Sequence, residues 1–373
     1  GNKQLPKVEY PSVPLFDSLK NLEVLSQTFD TTHPIGQYFF DTAHSYLLAG
    51  EMLEHRGKAQ FTEYSIQLYG KPGDLVVGSH LTNLEAAHYF VNIANDFHEG
   101  EGFDEAEYCI SAETIRDQLA LAIQEVITED SIEVCLDNDL TSKAAAGISR
   151  VRLRTGAHFS KYDFKQLLEH EALTHTLTAL NGYHQPCLKS MGLGAPRTTA
   201  TQEGLATFSE LITGSIDLSR IKRISMRIVG IDMALKGANF LQVFQYFLDN
   251  GQHEIEAYQS TMRIFRGGDP KGGVVFTKDA VYLNNLLKIH SFFRWAMKNA
   301  RLSLAKLLFA GRLTLDDVDR LAPFADTELL SLPKYIPLWL SNYHTLAGFL
   351  AFSIFDNWIH MELLDEHFLK FRD

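Results

Sequence analysis

Residues 160–182 read SKYDFKQLLEHEALTHTLTALNG, a stretch with helix signals at both ends. Ser160 and Asp163 form a capping-box pattern at its start, where a side chain accepts a hydrogen bond from a free backbone N–H group. Asn181-Gly182 at its end is typical of a helix stop. The stretch therefore predicts one continuous helix from Ser160 to Gly182, the best-marked helix of the chain.

The middle of this helix carries, from residue 170 to residue 175, the order His-Glu-Ala-Leu-Thr-His. It resembles the zincin signature H-E-x-x-H, in which two histidines four residues apart share a helical face and bind zinc. The glutamate beside the first histidine activates the attacking water in that signature, so Glu171 is the candidate general base. In this chain, however, His170 and His175 are five residues apart.

The five-residue spacing has a geometric consequence. At about 100° per residue, the two histidines would point roughly 140° apart on a regular α-helix, too far for both to bind one ion. Hydrogen bonds from i to i+5 widen the turn and bring such residues back toward one face. We therefore predict a π-type distortion between His170 and His175. The alternative is an accidental resemblance, with one histidine an ordinary surface or core residue.

A third protein ligand is expected on the following helix. Thr199 and Gln202 form a second capping-box pattern, which predicts a helix to about Thr213 that stops at Gly214. Glu203 lies in its first turns, and a carboxylate is a common third ligand of zinc beside two histidines.

Two neighbours of Glu203 bear on this hypothesis. Gly204 has no side chain, so we expect it to let this helix approach the histidine helix closely. Glu210 lies seven residues after Glu203 on the same face, and we consider it a candidate to orient a histidine. The alternative for Glu210 is an ordinary exposed glutamate.

Several further blocks occur in a fixed order along the chain. They are HEALTH at residues 170–175, LNG at 180–182 followed by QP at 185–186, TQEGLA at 201–206, RIFRG at 263–267 and FTKDAVYL at 276–283. Together, from about residue 35 onward, they resemble the bacterial QEGLA-motif proteins. These belong with the microtubule-associated tyrosine carboxypeptidase family, zinc enzymes whose H-E-x-x-x-H helix uses the same histidine spacing.

The resemblance implies a zincin-like metallopeptidase with Zn²⁺ as its cofactor. It assigns His170, His175 and Glu203 as metal ligands and Glu171 as the catalytic base. The expected activity is removal of a C-terminal residue from a peptide or protein. An endopeptidase, or a zinc-binding regulatory protein without peptidase activity, remains the alternative.

A carboxypeptidase must also bind the terminal carboxylate of its substrate, and we consider basic residues in the later blocks. Arg263 and Arg266 are substrate-binding candidates because the planar guanidinium matches a carboxylate. Lys278 and Tyr282 lie four apart on a helix that Thr277 is expected to cap, with Lys278 a partner of the carboxylate and Tyr282 a catalytic donor to the oxyanion. A structural salt bridge or a surface position is the alternative for each.

The chain as a whole is predicted to be mainly α with a small β-sheet, an α+β fold. Strand-like runs at residues 131–136 and 148–154 supply the sheet, and Arg150, Arg152 and Arg154 alternate along the second run. These arginines face solvent or, alternatively, an acidic peptide. We expect a mostly helical region at 1–145 and the catalytic region at 146–373, within one compact unit.

Composition limits the partners. The net charge of −12 argues against nucleic acid, although residues 141–280 carry 17 Lys and Arg against 12 Asp and Glu. The charge-free stretch at 336–355 carries Pro337, Ser341, Asn342, His344 and Thr345, so we expect a buried helix and no membrane span. The scattered cysteines Cys109, Cys135 and Cys187 predict a reducing, cytoplasmic location. Nothing indicates the oligomeric state.

Overall fold

The computed structural model describes residues 8–100, 110–140 and 142–360, and the described chain is mainly helical with two small sheets. The fold class predicted from the sequence is therefore confirmed. The helices before the larger sheet are α1 (Phe16–Ser26), α2 (Pro34–Glu54), α3 (Ala59–Tyr69), α4 (Asn83–Gly100) and α5 (Ala112–Val126). Among the helices of the described residues, none is long and apolar enough to cross a membrane.

The larger sheet has three strands in the order β2 (Glu133–Asp137), β4 (Arg150–Arg154) and β3 (Ala144–Ala146), and β1 (Ile110–Ser111) pairs with β5 (His158–Phe159) in the smaller one. β4 is parallel to β2 and antiparallel to β3. Both predicted strands are present. β3 was not predicted, because three alanines carry little strand preference. The predicted boundary between residues 145 and 146 falls inside β3, and it stays a prediction.

The arginines of β4 alternate with buried residues, as predicted. Val151 and Leu153 are fully buried, whereas Arg150 is exposed and Arg152 bonds Asp137 at 3.0 Å. Because β4 is the central strand, both of its backbone edges are already paired. The edge strand β3, rather than β4, borders the cavity described below.

The histidine helix is continuous but changes type along its length. It comprises α6 (Asp163–Leu167), a π-helix (Leu168–Thr176) and α7 (Leu177–Tyr183), so the predicted π distortion is confirmed. The Thr174 hydroxyl donates to the Glu169 carbonyl, five residues back, at 2.8 Å. This bond follows the wider π turn.

The predicted ends of the histidine helix are half right. The Asp163 carboxylate accepts the Ser160 N–H at 2.8 Å, one of the two bonds of a capping box, but the helix begins at Asp163 and its N-cap residue Tyr162 makes no side-chain capping bond. Asn181 and Gly182, however, lie inside α7 and do not stop it. The Asn181 amide instead donates to the Phe309 and Tyr335 carbonyls at 2.8 and 2.7 Å. A Cβ on Gly182 would lie 2.3 Å from the Gly192 nitrogen, so glycine is needed there for close packing.

The second helix, α8 (Thr199–Ile212), ends where predicted, with Gly214 at φ +64°. The predicted capping box is wrong, because the N-cap residue is Thr198 and its side chain makes no capping bond. Gln202 instead faces the histidine helix and accepts a hydrogen bond from Thr178 at 2.9 Å.

The remaining elements complete the helical body. They are α9 (Leu218–Leu235), α10 (Phe240–Asp249), α11 (Glu254–Phe265), α12 (Val281–Lys298), α13 (Leu315–Leu321), α14 (Leu338–Ser341) and α15 (Tyr343–Asp356), with 3₁₀ segments at Lys189–Gly192, Pro196–Thr198, Lys278–Ala280, Leu302–Phe309 and Ala322–Phe324. The largest apolar core joins α5, β4, the histidine helix, α8 and α12. The helices that carry His170, His175 and Glu203 are thus anchored in one core.

Three smaller predictions need correction or have no outcome. The stretch at 336–355 is not one buried helix, since it breaks at Asn342 and Phe352 is 68% exposed. Thr277 does not cap the helix that carries Tyr282, because its hydroxyl pairs with Ser65 at 2.9 Å. Cys109 lies outside the described residues.

Candidate metal centre

Two helices bring three potential metal ligands together. The π-helix supplies His170 and His175, and α8 supplies Glu203. The Glu203 Oε2 atom lies 3.5 Å from His170 Nε2 and 3.6 Å from His175 Nε2, and one ligand atom from each residue lies within 4.8 Å of the others. Ligands of a tetrahedral zinc, each about 2.0–2.1 Å from the ion, lie roughly 3.4 Å apart. The donor set therefore fits a zinc-sized ion.

A buried carboxylate orients His170. The Nδ1 atom of His170 lies 2.6 Å from Glu210 Oε1, which leaves Nε2 directed at Glu203. Glu210 is itself completely buried and accepts two bonds from Arg220, at 3.2 and 3.3 Å. The predicted contact of Glu210 with a histidine is present, and the alternative of an exposed surface glutamate is wrong. Such a partner fixes the tautomer and orientation of a metal-binding histidine.

His175 has a weaker neutral partner. Its Nδ1 atom lies 3.5 Å from the Gln202 Oε1 atom, which is held in place by the Thr178 hydroxyl. The Arg312 guanidinium donates to the His175 backbone carbonyl at 3.3 Å. The Gln202 contact restrains the ring on the side away from Glu203, whereas the Arg312 contact holds the backbone of His175.

The electrostatics of the cluster favour an added positive charge. Burial alone would lower the pKa of His170, but the Glu203 and Glu210 carboxylates raise it to about 10. Burial would likewise raise the pKa of Glu203, but the two histidines hold it well below its usual range. A proton on His170 thus supplies the positive charge that the carboxylates require, and a bound cation supplies it equally well.

A cavity of about 640 Å³ opens beside the cluster. His170, Glu171 and Tyr282 line it, together with five arginines: Arg220, Arg223, Arg227, Arg263 and Arg266. Burial, with the nearby Glu203 carboxylate, raises the pKa of Tyr282, so its hydroxyl stays protonated and available as a donor. The cavity therefore brings together His170 of the cluster, the Glu171 carboxylate and a strongly basic wall.

The three predicted substrate-binding residues have different surroundings in the structure. Arg263 is held by Asp279 through two bonds of 2.6 Å, which is the structural salt bridge considered as its alternative. Arg266 is exposed and stacks on the Phe276 ring, 5.2 Å from its centroid. The Lys278 amine lies 3.9 Å from Glu203 Oε1, next to the cluster.

The model of the family described as microtubule-associated tyrosine carboxypeptidase matches residues 1–357. The chain belongs to this family. The match begins at residue 1, earlier than the sequence blocks indicated. Among curated proteins, none matches the chain. Membership in a carboxypeptidase family implies peptidase activity on a peptide or protein substrate.

Two histidines that are close in sequence to His170, His158 and His184, are not part of the cluster of His170, His175 and Glu203. His184 bonds Asp130 at 3.0 Å, and His158 is exposed on β5. Proximity in sequence is a poor guide here, because α7 and β5 carry these side chains away from the cluster.

Several residues of the site were missed by the sequence reasoning. Arg220, Arg223 and Arg227 recur at spacings of three and four on α9, a pattern that places them on one helical face. That spacing was available as a signal. Arg312 has no such sequence signal. It lies well after the end of α12 in the chain and approaches Glu171 and Glu203 only in the folded protein.

Proposed function

We propose that the chain is a zinc-dependent carboxypeptidase that removes the last residue of a peptide or protein. The observation that carries the proposal is the convergence of His170, His175 and Glu203 in one cluster, of which His170 lines a cavity that also presents Glu171. The TQEGLA block at 201–206, which contains Glu203, supports a place among the QEGLA-motif members of the family.

The metal would be held by His170, His175 and Glu203, with Glu210 and Gln202 keeping the two rings in place. A zinc ion in such a site supplies Lewis-acid polarisation of a carbonyl and lowers the pKa of water to about 7. Two histidines and one carboxylate are a common catalytic ligand set for this metal.

The chain's own residues supply the proton transfers. Glu171 lines the cavity and would take a proton from the attacking water as the C–O bond forms. It would return that proton to the leaving amine as the C–N bond breaks. The protonated hydroxyl of Tyr282 would donate to the oxygen that becomes negative in the tetrahedral intermediate.

The basic wall supports an exopeptidase rather than an endopeptidase, because a terminal carboxylate is an anion that an internal peptide bond lacks. The name of the family suggests tyrosine as the residue removed. We therefore propose a C-terminus that ends in an aromatic residue as the substrate.

The proposal is tested with a peptide library incubated with the zinc-loaded protein and read by mass spectrometry, with and without a chelator. The expected result is the loss of single C-terminal residues, which the chelator abolishes and zinc restores. Internal cleavage would instead support an endopeptidase. Tight zinc binding without any cleavage would support a regulatory protein.

A further inference from the structure

The basic wall of the cavity is built mainly by one face of α9. Arg220, Arg223 and Arg227 lie on that face and line the cavity together with Arg263 of α11. So many guanidinium groups in one wall repel one another unless carboxylates compensate them. Their pairing therefore decides which of them can bind an external anion.

Two of these arginines are already neutralised. Arg220 donates to both oxygens of the buried Glu210. Arg263 donates to both oxygens of Asp279, which is only 5% exposed. Neither arginine is free to bind a ligand without giving up a buried ion pair, which is costly.

Arg227, in contrast, has no carboxylate to itself in the part of the chain that the structure describes. Its Nη1 atom lies 3.6 Å from Asp279 Oδ2, beyond hydrogen-bond length, and Arg263 already occupies that oxygen. Among the described residues, its buried Nε atom has no hydrogen-bond acceptor. Burial and the neighbouring Arg263 charge lower the pKa of Arg227 to about 10. One carboxylate thus serves two guanidinium groups, and a positive charge is left over.

The leftover charge borders the same cavity as His170, Glu171 and Tyr282. In a carboxypeptidase substrate, one residue, about 3.5 Å of extended chain, separates the scissile carbonyl from the terminal carboxylate. The group that binds this carboxylate must therefore share the cavity of the reacting groups. Arg227 meets that requirement and has donors to spare.

We propose that Arg227 binds the C-terminal carboxylate of the substrate and so restricts the enzyme to free C-termini. The inference rests on the proposed carboxypeptidase function. A carboxylate at this place supplies the negative charge that Asp279 alone does not, and it gives a partner to the guanidinium that shares Asp279 with Arg263. A C-terminal amide carries no charge and leaves Arg227 uncompensated.

The test measures binding rather than turnover, so that it does not depend on catalysis. Zinc-loaded E171Q protein is incubated with a randomised hexapeptide pool that contains equal amounts of free acids and C-terminal amides. Bound and free peptides are separated by ultrafiltration and counted by mass spectrometry. The same measurement is made on the E171Q/R227Q double variant. The matched control is E171Q/R223Q, which removes an equal charge from the same wall.

We expect free acids to be enriched about tenfold or more over amides in E171Q, as a charge-assisted hydrogen-bonded pair predicts. The enrichment should disappear in E171Q/R227Q and persist in E171Q/R223Q. Equal binding of acids and amides by E171Q, or enrichment that survives R227Q, would overturn the assignment. Enrichment lost equally in both double variants would also overturn it, because the effect would then be one of general charge.

The two proposals can fail separately. If the wild-type protein cleaves no peptide but the enrichment depends on Arg227, the carboxylate site stands and the peptidase function does not. If peptides are cleaved from the C-terminus and the enrichment is independent of Arg227, the function stands and the anchor lies elsewhere.

Discussion

At the scale of single residues, neighbouring side chains of the proposed site have different tasks: one would hold the metal and the next would transfer a proton. His170 is a proposed ligand whose ring is fixed by Glu210, whereas Glu171, the next residue, faces the cavity. Adjacent residues of a helix point about 100° apart, so neighbours in sequence can take different tasks.

This division predicts that two substitutions differ in zinc binding although both abolish turnover. E171Q should bind zinc as well as the wild type but lose turnover, because an amide cannot accept the proton. H170A should lose both zinc and turnover. Zinc content by elemental analysis and the rate of peptide cleavage check these expectations. Turnover retained in E171Q would rule out Glu171 as the base.

Glu210 offers a second test at this scale. E210Q should weaken zinc binding by about 10- to 100-fold, because the charged partner of His170 is replaced by a neutral amide. Competition with a chelating dye measures the affinity. D130N is the matched control, since Asp130 also contacts a histidine, His184, but away from the cluster. An equal loss of affinity in both variants would contradict a specific role for Glu210.

At the scale of elements, the packing of α8 against its neighbouring helices determines the position of Glu203. Gly204 was expected to make room for the histidine helix, but a Cβ there would lie 2.6 Å from Asn285 atoms on α12. The close approach is therefore between α8 and α12. Position 204 still matters for the site, because it sets the depth of α8 in the core.

A methyl group at this contact should disturb the metal centre. We expect G204A to lower the free energy of unfolding by about 1–3 kcal/mol, since the backbone of α12 cannot yield easily. It should also weaken zinc binding. G348A is the control, because Gly348 is helical with nothing within 4 Å, and it should be neutral or slightly stabilising. Denaturant unfolding measures the stability of both variants. A G204A protein as stable as the wild type would show that the helices can adjust.

At the scale of the whole molecule, Asp279 links three elements through charge. It precedes α12 and contacts Arg227 of α9 and Arg263 of α11. Burial alone would raise the pKa of Asp279, but these arginines hold it at about 2. The folded pKa lies below the unfolded value of 3.8, so this contribution is complete above about pH 4 and is lost as the pH falls through 2.

The linkage predicts an acid-dependent stability difference. In metal-free protein, the free energy of unfolding of the wild type should exceed that of D279N at pH 5. The difference should shrink by about 2 kcal/mol between pH 4 and pH 2. Urea denaturation at several pH values provides the measurement. A difference that is constant over this range would mean that Asp279 does not titrate as described.

The sequence by itself determined the candidate metal ligands and the helix that bears the two histidines. The spacing of His170 and His175 predicted a π-helix, because helical geometry relates sequence distance to direction. Glu203 and Glu210 followed from their places on the next helix. Mainly local rules of periodicity carried these predictions, and their failures at Asn181, Gln202 and Thr277 occurred where a distant partner took the side chain.

Only the tertiary structure decided which basic residues are available. Arg263 was a substrate-binding candidate by residue type, but Asp279, sixteen residues away, neutralises it. Arg227 comes from another helix and is left with an excess of positive charge. Residue type establishes that an arginine is charged. Whether that charge is free for a substrate depends on the carboxylates that folding brings beside it, and sequence spacing does not encode those distances.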